Sequence, residues 1–428
     1  MTDSADFMAR RRQVLDAPGV VVAFHMRNWK RDFLSHFFPH KHFHFADFHL
    51  NERGFRRRVL PALASREKPL VFVWSQNLPD FAERAIRDLG LDVYFIEDGF
   101  VRSMAGHASR SAPFSLTLDR QRAYFDCRGP SDLEDLLNTY DFNADPALLA
   151  RARQAISAVL AGRLTKYNAP DMPAGTPSSG NGSVQRRILV VGQVEEDASI
   201  RFGCDRPVTN NDLVRLAARE NPEAEVLYKP HPDILNGVRR HLSDPAEVAH
   251  LCTILKGPVS LPNALEMADH VYTITSLSGF EALMRGKPVT VIGAPFYAGW
   301  GLTDDRQPMP RRGRPLSVEA VFAAAYLLYP LYFDPDTGKA ATLEAVLERV
   351  ASRRPVTATF RPARAEWRPF GPYGLLGWRH LLTPLLSPII ARVGEREDAE
   401  LYRSNPARFF RDKDDRRFRF IGRLLYPW

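Results

Sequence analysis

The feature that most constrains the fold of this 428-residue chain is an alternation of short apolar runs with longer amphipathic segments. Apolar runs at 19–26, 69–76 and 92–99 have the length of strands. Residues 79–90 carry apolar side chains at the helical period, and Gly90 is placed to end that helix. Strands that alternate with helices predict an α/β fold with parallel sheets covered by helices on both faces.

The alternation starts again in the second half of the chain. Asn210 or Asn211 is a plausible N-cap for a helix that continues to Arg219. Beyond about residue 315 the pattern is helical and then rich in Pro and Arg, and it predicts no strand. The second-half strands are predicted at 187–194, 225–232, 270–275 and 288–293, with a helix at 278–286.

A segment dense in Pro, Gly, Ser and Asn separates the two halves and has the composition of a linker. We therefore predict two Rossmann-like lobes in a GT-B-like arrangement, with a cleft between them, and a basic helical tail. Parallel sheets of this kind bind ligands beyond the carboxyl ends of their strands. The predicted divisions are an N-terminal lobe at 1–170, a linker at 171–187, a C-terminal lobe at 188–335 and the tail at 336–428.

Composition narrows the class of protein. Three cysteines with no CxxC pair argue against a disulfide framework or a structural zinc site. No uninterrupted apolar stretch has the length of a membrane span, so we expect a cytoplasmic protein. The chain lacks GxxxxGK[ST], GxGxxG after its first strand, and GxSxG, which argues against P-loop, dinucleotide-binding and α/β-hydrolase enzymes.

The net charge of +8 is unevenly distributed, because the last 24 residues interleave Arg with Phe, Leu, Tyr and Trp. Such a segment can lie on an anionic membrane surface. It can equally be a solvated helix whose aromatic side chains pack inward. No nucleic-acid partner is expected.

Two polar motifs at predicted strand ends suit a phosphate. In "TSLSGFE", Ser276 and Ser278 can donate hydroxyl hydrogen bonds at a helix start, and Gly279 would allow close approach of a ligand. The alternative is a capping box with Ser278 as N-cap and Glu281 three residues later. In "YKPHPD", Lys229 and His231 present a cation and an imidazole on one face, which suits a phosphodiester.

Carboxylates follow strands in both predicted lobes. Glu97 ends the strand at 92–96, and Asp197 follows the strand at 187–194. Two carboxyl groups that face one cleft suit glycosyl transfer, in which one attacks or stabilises the sugar and the other moves a proton. The alternatives are a salt bridge from Glu97 to Arg102 and a helix N-cap at Asp197. Gln193 precedes Asp197 at the same strand end.

Several of these segments together resemble the capsule-polysaccharide β-Kdo transferases of the KpsC type, where Kdo is 3-deoxy-D-manno-oct-2-ulosonic acid. The resemblance covers about residues 20–335. The loop "SMAGHASRSAP" departs from the Gly-Leu-Gly run of many relatives, which leaves the acceptor open. The motifs that carry the resemblance are "FIEDGFVRS", "LTLDRQRAYFDCRGPSDLEDLLN", "KYN", "GQVEEDASIRFG", "YKPHPD" and "TSLSGFEALMRGKPVTVIGAPFYAGWGLTDD".

The resemblance implies a retaining, metal-independent transferase without a cofactor that uses CMP-β-Kdo as donor. It implies that Asp197 forms the covalent sugar intermediate and that Glu97 handles the proton. Arg102 or Arg201 would then bind the Kdo carboxylate or the acceptor. The donor-binding residues would be Lys229, His231, Ser276, Ser278, Glu281 and Gln193.

The implied acceptor is a Kdo-primed, phosphatidylglycerol-type lipid at the inner face of the inner membrane, so we expect a cytoplasmic protein peripherally bound there. Relatives usually carry two transferase modules and this chain carries one, so other capsule-assembly proteins are expected partners. Two alternatives stay open: a non-catalytic capsule assembly or export factor with the same fold, and a transferase of another CMP-linked sugar acid.

Overall fold

A computed structural model describes residues 12, 15–104, 111–168, 186–231, 234, 242–255, 259–356, 382–393, 396–413 and 415–426. The greater part of the predicted linker, residues 171–185, lies outside these ranges, as do residues 105–110 of the loop after "EDGF". None of the described helices is both long enough and apolar enough to span a membrane.

The described strands form two sheets, one of seven strands and one of six. In chain order the strands are β1 (Gly19–Phe24), β2 (Lys41–Phe45), β3 (Leu70–Trp74), β4 (Val93–Asp98), β5 (Ser115–Asp119), β6 (Arg187–Val191), β7 (Glu225–Lys229), β8 (Thr253–Ile254), β9 (His270–Thr273), β10 (Val289–Val291), β11 (Asp304–Asp305), β12 (Pro330–Phe333) and β13 (Ala340–Ala341).

The described α-helices vary from single turns to 16 residues. In chain order they are α1 (Asn28–Phe37), α2 (Glu52–Gly54), α3 (Leu60–Leu63), α4 (Asp80–Asp88), α5 (Asp132–Thr139), α6 (Pro146–Ala161), α7 (Ala198–Gly203), α8 (Asn210–Glu220), α9 (Leu261–Met267), α10 (Leu277–Leu283), α11 (Val318–Phe322), α12 (Leu343–Ala351), α13 (Leu382–Val393), α14 (Arg396–Ser404), α15 (Pro406–Arg411) and α16 (Arg416–Leu425).

The chain divides into two compact units. The larger unit contains Phe95–Asp334 and Ala340–Val356, and the smaller contains Arg12–Tyr94, Pro335–Lys339 and the described residues from 382 onward. The boundary at residue 94 falls inside β4. The lobe divisions predicted from the sequence stay a prediction.

The six-stranded sheet of the larger unit has the Rossmann strand order. Its strands run β8-β7-β6-β9-β10-β11, all parallel, which is the order 3-2-1-4-5-6 counted from β6. The strand order reverses between β6 and β9, and in sheets of this kind ligands bind beyond the carboxyl ends of the strands at that point. Here the chain continues into Gln193 after β6 and into Thr275 after β9.

In the smaller unit, β1 pairs in parallel with both β2 and β3. In the larger unit, by contrast, β5 runs antiparallel to β4 and to β12, and β12 runs antiparallel to β13. The prediction of parallel sheets throughout is therefore wrong for these strands. The prediction that no strand follows residue 315 is also wrong, since β12 and β13 lie there. Both strands are short and pair with a strand distant in sequence or with each other, which a local sequence pattern does not indicate.

Two predicted helix caps are also wrong. Thr209, rather than Asn210 or Asn211, caps α8, and it shares a capping box with Asp212. Ser276, rather than Ser278, caps α10: its hydroxyl accepts from the backbone N–H of Ser278 at 3.1 Å. In both cases the cap lies one or two residues earlier than the polar run suggested.

Each unit has its own apolar core. In the larger unit one cluster includes Phe100, Val191, Phe280 and Tyr326, all buried. In the smaller unit, β1 and β3 are buried at Val22 and Phe72, and the C-terminal helices form a separate small cluster. That cluster comprises Leu401, Tyr402, Phe409, Phe410 and Tyr426.

Candidate active site

A cavity of about 1020 Å³ opens within the larger unit. The residues that line it lie in two stretches of the chain, within 97–168 and within 191–296, and Val350, Ala351 and Arg353 line it as well. The predicted residues that line this cavity are Glu97, Gln193, Asp197, Lys229, His231, Ser276, Ser278 and Glu281.

The acidic end of β4 places two carboxylates in the cavity wall, Glu97 and Asp98. Glu97 Oε1 accepts from the backbone N–H of Asp98 at 2.9 Å, which holds the Glu97 side chain at the strand end. Asp98 Oδ2 accepts from Arg102 Nε at 3.1 Å. The ion pair to Arg102 considered for Glu97 is thus formed by Asp98. It anchors the turn that follows β4.

Asp197 is the N-cap of α7, as the alternative interpretation of the sequence had it, and it also lines the cavity. Its Oδ1 accepts from the backbone N–H of Ser199 at 2.8 Å. The side chain is exposed. A carboxylate held through one oxygen and open to the cavity through the other can both cap a helix and attack a substrate.

Gln193 is buried where the strand order reverses. Its side-chain oxygen accepts from the backbone N–H of Thr275 at 2.8 Å, and its amide donates to Thr275 Oγ1 at 3.1 Å. These bonds tie the end of β6 to the end of β9. Gln193 therefore positions the two loops that carry Asp197 and Ser276.

The hydroxyls of Ser276 and Ser278 lie 2.9 Å apart at the start of α10. Gly279 follows Ser278, and its lack of a side chain leaves the space that Tyr297 fills. A Cβ at Gly279 would lie 2.9 Å from Cζ of Tyr297, whose hydroxyl donates to the carbonyl oxygen of Ser276 at 2.5 Å. The expected role of Gly279, close approach of a ligand, is replaced by close approach of Tyr297.

Glu281 is a buried carboxyl group in the cavity wall, only 2% exposed. Burial raises its pKa to about 7, although Arg285 and the backbone N–H of Lys166 act in the opposite direction. Its Oε2 has no hydrogen-bond partner among the described residues. Near neutral pH this carboxyl group can hold a proton and donate a hydrogen bond toward a ligand.

Lys229 ends β7 and is buried, and burial lowers the pKa of its ammonium. It forms no ion pair with the residues that the structure describes. His231 lines the same cavity two residues later. The pair therefore stands at the carboxyl ends of the Rossmann strands, as the sequence predicted.

Lys166 is a cavity residue that motif spacing did not single out. Burial alone would lower the pKa of this lysine, but the two phenols and two carboxylates near it raise its pKa above the ordinary value, so it is a cation. Those groups belong to Tyr124, Tyr167, Asp98 and Glu97. The available signal was its place in "KYN", one of the segments that carried the family resemblance.

Arg102 and Arg201, the cations predicted for the sugar carboxylate, are not among the residues that line the cavity. Arg102 is buried and donates to Asp98 and to the Ser111 hydroxyl and carbonyl. The Arg201 guanidinium lies 4.3 Å from the centre of the Phe202 ring. Their predicted role is untested, and the cations that line the cavity are other residues.

With this geometry established, the similarity to known proteins identifies the family. The sequence model of a family described as "Capsule polysaccharide biosynthesis protein" matches residues 71–333, from β3 to β12. The chain belongs to this family. The chain is 43% identical over 333 residues to the lipopolysaccharide-processing protein LpsZ of Rhizobium meliloti, a match that covers 78% of this chain and 74% of the relative. The capsule polysaccharide modification protein LipA of Neisseria meningitidis serogroup B is 38% identical over 253 residues, which cover 59% of this chain and 35% of LipA.

Two solved structures share the fold. Thermosulfurimonas dismutans KpsC, described as a beta Kdo 2,7 transferase, superposes with a TM-score of 0.62 at 32% identity, over 78% of this chain and 99% of that one. A second KpsC structure, described as a beta Kdo 2,4 transferase, has a TM-score of 0.61 at 29% identity, over 78% and 98%. This chain is about equally similar to the two KpsC structures.

Proposed function

We propose that this protein is a retaining glycosyltransferase that moves β-Kdo from CMP-β-Kdo to a Kdo-bearing acceptor in capsule polysaccharide synthesis. The similar KpsC structures, described as β-Kdo transferases, support the reaction class. The observation that carries the proposal is the single cavity that brings together Glu97, Asp197 and the cation Lys229.

The proposed mechanism has two displacements. The Asp197 carboxylate attacks the anomeric carbon of Kdo, and the bond to CMP breaks with its electron pair going to the phosphate oxygen. The acceptor hydroxyl then attacks the same carbon, Asp197 leaves, and Glu97 takes the hydroxyl proton. Two inversions at one carbon retain its configuration.

The departing CMP carries negative charge on a single phosphate. Lys229 and His231 are placed to stabilise that charge electrostatically, and the hydroxyls of Ser276 and Ser278 can donate to it. Glu281, whose pKa is raised by burial to about 7, can hold a proton near neutral pH and donate a further hydrogen bond to CMP. This donor set is the reason that we propose neither a metal nor a cofactor for the reaction.

Intact-mass analysis after incubation with CMP-Kdo, without acceptor, tests the proposal. We expect CMP release and a covalent Kdo adduct on the wild-type protein, and no adduct on Asp197→Asn. Glu196→Gln is the matched control, because Glu196 is the adjacent exposed carboxylate in the same cavity wall. An adduct on Asp197→Asn would contradict the proposed nucleophile.

The same experiment separates the alternatives. A transferase of another CMP-linked sugar acid would form its adduct with that donor in a panel and not with CMP-Kdo. A non-catalytic capsule assembly factor would bind CMP-Kdo without releasing CMP.

We further propose that the protein binds an anionic membrane surface, where a Kdo-primed, phosphatidylglycerol-type lipid would be its acceptor. Helix α16 supports this. Four large apolar side chains on it are exposed, and four arginines share its ten residues. A helix with these two features suits the interface of an anionic bilayer. The apolar residues are Phe418, Phe420, Ile421 and Leu424, and the arginines are Arg416, Arg417, Arg419 and Arg423.

The residue types on α16 segregate around its axis with one exception. At about 100° per residue, Phe420, Ile421 and Leu424 span an arc of about 100°, and Arg417 falls inside it. The other three arginines, Arg416, Arg419 and Arg423, lie within a separate arc of about 60°. Binding of the protein to vesicles that contain an anionic phospholipid tests this proposal.

A further inference from the structure

A phenol hydroxyl behind the cavity wall contacts the residue that caps α10. Tyr297 is fully buried and is not among the residues that line the cavity. Its hydroxyl donates to the carbonyl oxygen of Ser276 at 2.5 Å, and the same carbonyl accepts from the backbone N–H of Gly279 at 3.1 Å. Burial raises the pKa of Tyr297 well above its ordinary value, so the hydroxyl keeps the hydrogen that it donates. Tyr297 thus holds the main chain of a cavity residue from behind.

The side chain of Ser276 is placed by that main chain. Its oxygen accepts from the backbone N–H of Ser278 at 3.1 Å and lies 2.9 Å from the Ser278 hydroxyl, and both serines line the cavity. A hydroxyl oxygen that accepts a hydrogen bond still has its own hydrogen to donate. The direction in which Ser276 can donate to a ligand therefore depends on the main chain that Tyr297 holds.

The first turn of α10 has space for the Tyr297 ring. A Cβ at Gly279 would lie 2.9 Å from Cζ of Tyr297 and 3.1 Å from Cγ2 of Thr273, both closer than carbon atoms pack. The ring of Phe280 lies 5.8 Å from that of Tyr297, centre to centre. Because a side chain at residue 279 would displace the ring, glycine is the residue that lets the Tyr297 hydroxyl reach Ser276.

A buried ion pair holds the main chain on both sides of Tyr297. Nη1 of Arg312 donates to the carbonyl of Pro295 at 2.5 Å and to that of Ala298 at 2.8 Å. Nε of Arg312 donates to Glu134 Oε2 at 2.9 Å, and both side chains are only 5% exposed. Hydrogen bonds from a charged donor are stronger than neutral ones, so the segment that carries Tyr297 has a fixed position.

We propose that Tyr297 is a positioning residue for the donor phosphate, because it holds the Ser276 carbonyl and thereby places the Ser276 hydroxyl for donation to that phosphate. This inference rests on the proposed function, in which Ser276 and Ser278 donate to the phosphate of CMP. Tyr297 acts through Ser276. A phenylalanine at residue 297 would fill the same space and lack only the donor, so Tyr297→Phe isolates the hydrogen bond.

Binding of CMP and of cytidine to Tyr297→Phe tests the inference, because only CMP has the phosphate. We expect the dissociation constant of CMP to rise by about 3- to 10-fold, the usual effect of one hydrogen bond, and that of cytidine to stay within about twofold. Titration calorimetry measures both constants, with cytidine in competition with CMP.

A double-mutant cycle shows whether Tyr297 acts through Ser276. Ser276→Ala removes the hydroxyl that Tyr297 is proposed to place, so Tyr297→Phe should cause no further loss of CMP affinity in that variant. A full further loss in the Ser276→Ala protein would mean that Tyr297 acts on the ligand by another route, and it would overturn the inference.

Tyr332→Phe is the matched control. Tyr332 is also buried, and its hydroxyl donates to the carbonyl of Tyr326 at 2.8 Å, but neither residue lines the cavity. Tyr332→Phe should lower the midpoint of urea unfolding about as much as Tyr297→Phe and leave the affinity for CMP within about twofold of the wild type.

The inference is overturned if Tyr297→Phe binds CMP like the wild type, if it loses CMP and cytidine equally, or if Tyr332→Phe shows the same selective loss. In each of these cases the wild-type protein still binds CMP, and the proposed function stands. Wild-type protein that binds neither CMP nor CMP-Kdo would overturn the proposed donor, and the inference with it.

Discussion

At the scale of single residues, Arg102 stabilises the fold, although the family resemblance implied that it binds the sugar carboxylate or the acceptor. It is 2% exposed, and it pairs with Asp98, which is 15% exposed. Its guanidinium also donates to the hydroxyl and the carbonyl of Ser111. A buried charge with this many partners stabilises the folded state, and removal of one member of the ion pair leaves the charge of the other uncompensated.

We therefore expect Arg102→Ala to lower the free energy of unfolding by about 3–5 kcal/mol, because Asp98 would keep a charge in a buried place without its counter-ion. Urea unfolding measures this. The control Arg201→Ala removes an exposed arginine and should change the free energy by less than about 0.5 kcal/mol. Unchanged stability of Arg102→Ala, together with lost donor affinity, would return Arg102 to the role of a ligand.

At the scale of elements, a helix start is defined by its cap and by what packs behind it. In α10, the cap is Ser276, and Tyr297 occupies the space beside Gly279. The sequence "TSLSGFE" correctly predicted a helix start with serines and an acid. It could not distinguish which serine caps, because both lie within one turn, and it could not show Tyr297, which is distant in sequence.

Helix α16 is the element that we expect to bind an anionic membrane surface. Phe420→Glu combined with Leu424→Glu should reduce binding to vesicles containing phosphatidylglycerol at least tenfold, because two exposed apolar side chains would be replaced by anions. Sedimentation with vesicles measures this, and wild-type binding should weaken as salt is added. Leu89→Glu, an exposed leucine on another segment, should bind like the wild type. Equal binding to vesicles of phosphatidylcholine alone would argue against the anionic surface.

At the scale of the whole molecule, buried carboxyl groups determine how stability varies with pH. Burial raises the pKa of Asp32 to about 6 and of Glu281 to about 7. Burial and the neighbouring Asp132 raise the pKa of Asp119 to about 7. Each folded-state pKa lies above the ordinary value, so the folded protein binds more protons than the unfolded chain in the range between them.

It follows that the stability contributed by these groups is fully present below about pH 4 and declines as the pH rises to about 7. We expect the free energy of unfolding to fall from pH 5 to pH 8. Glu281→Gln should remove up to about 3 kcal/mol of that decline, since a shift of one pKa unit corresponds to about 1.4 kcal/mol. Urea unfolding at several pH values measures the slope. A variant slope equal to that of the wild type would contradict the role given to Glu281.

The sequence by itself determined the α/β class, seven of the described strands and eight of the residues that line the cavity. These follow from local physics: apolar runs of strand length must be buried, and polar residues that interrupt them mark the ends. The predicted strand at 92–99 is β4, and its acidic end does face a cavity.

Only the tertiary structure decided which strands are antiparallel, which charges are paired and which cations are available to a ligand. Strands β5 and β12 pair across more than 200 residues of sequence, and Arg102 pairs with Asp98 while Lys229 lines the cavity without an ion pair among the described residues. Pairing energies depend on distance in space and on burial, and neither is encoded in the spacing of residues along the chain. For that reason the sequence could predict a site with cations, and only the fold shows which of the predicted cations line the cavity.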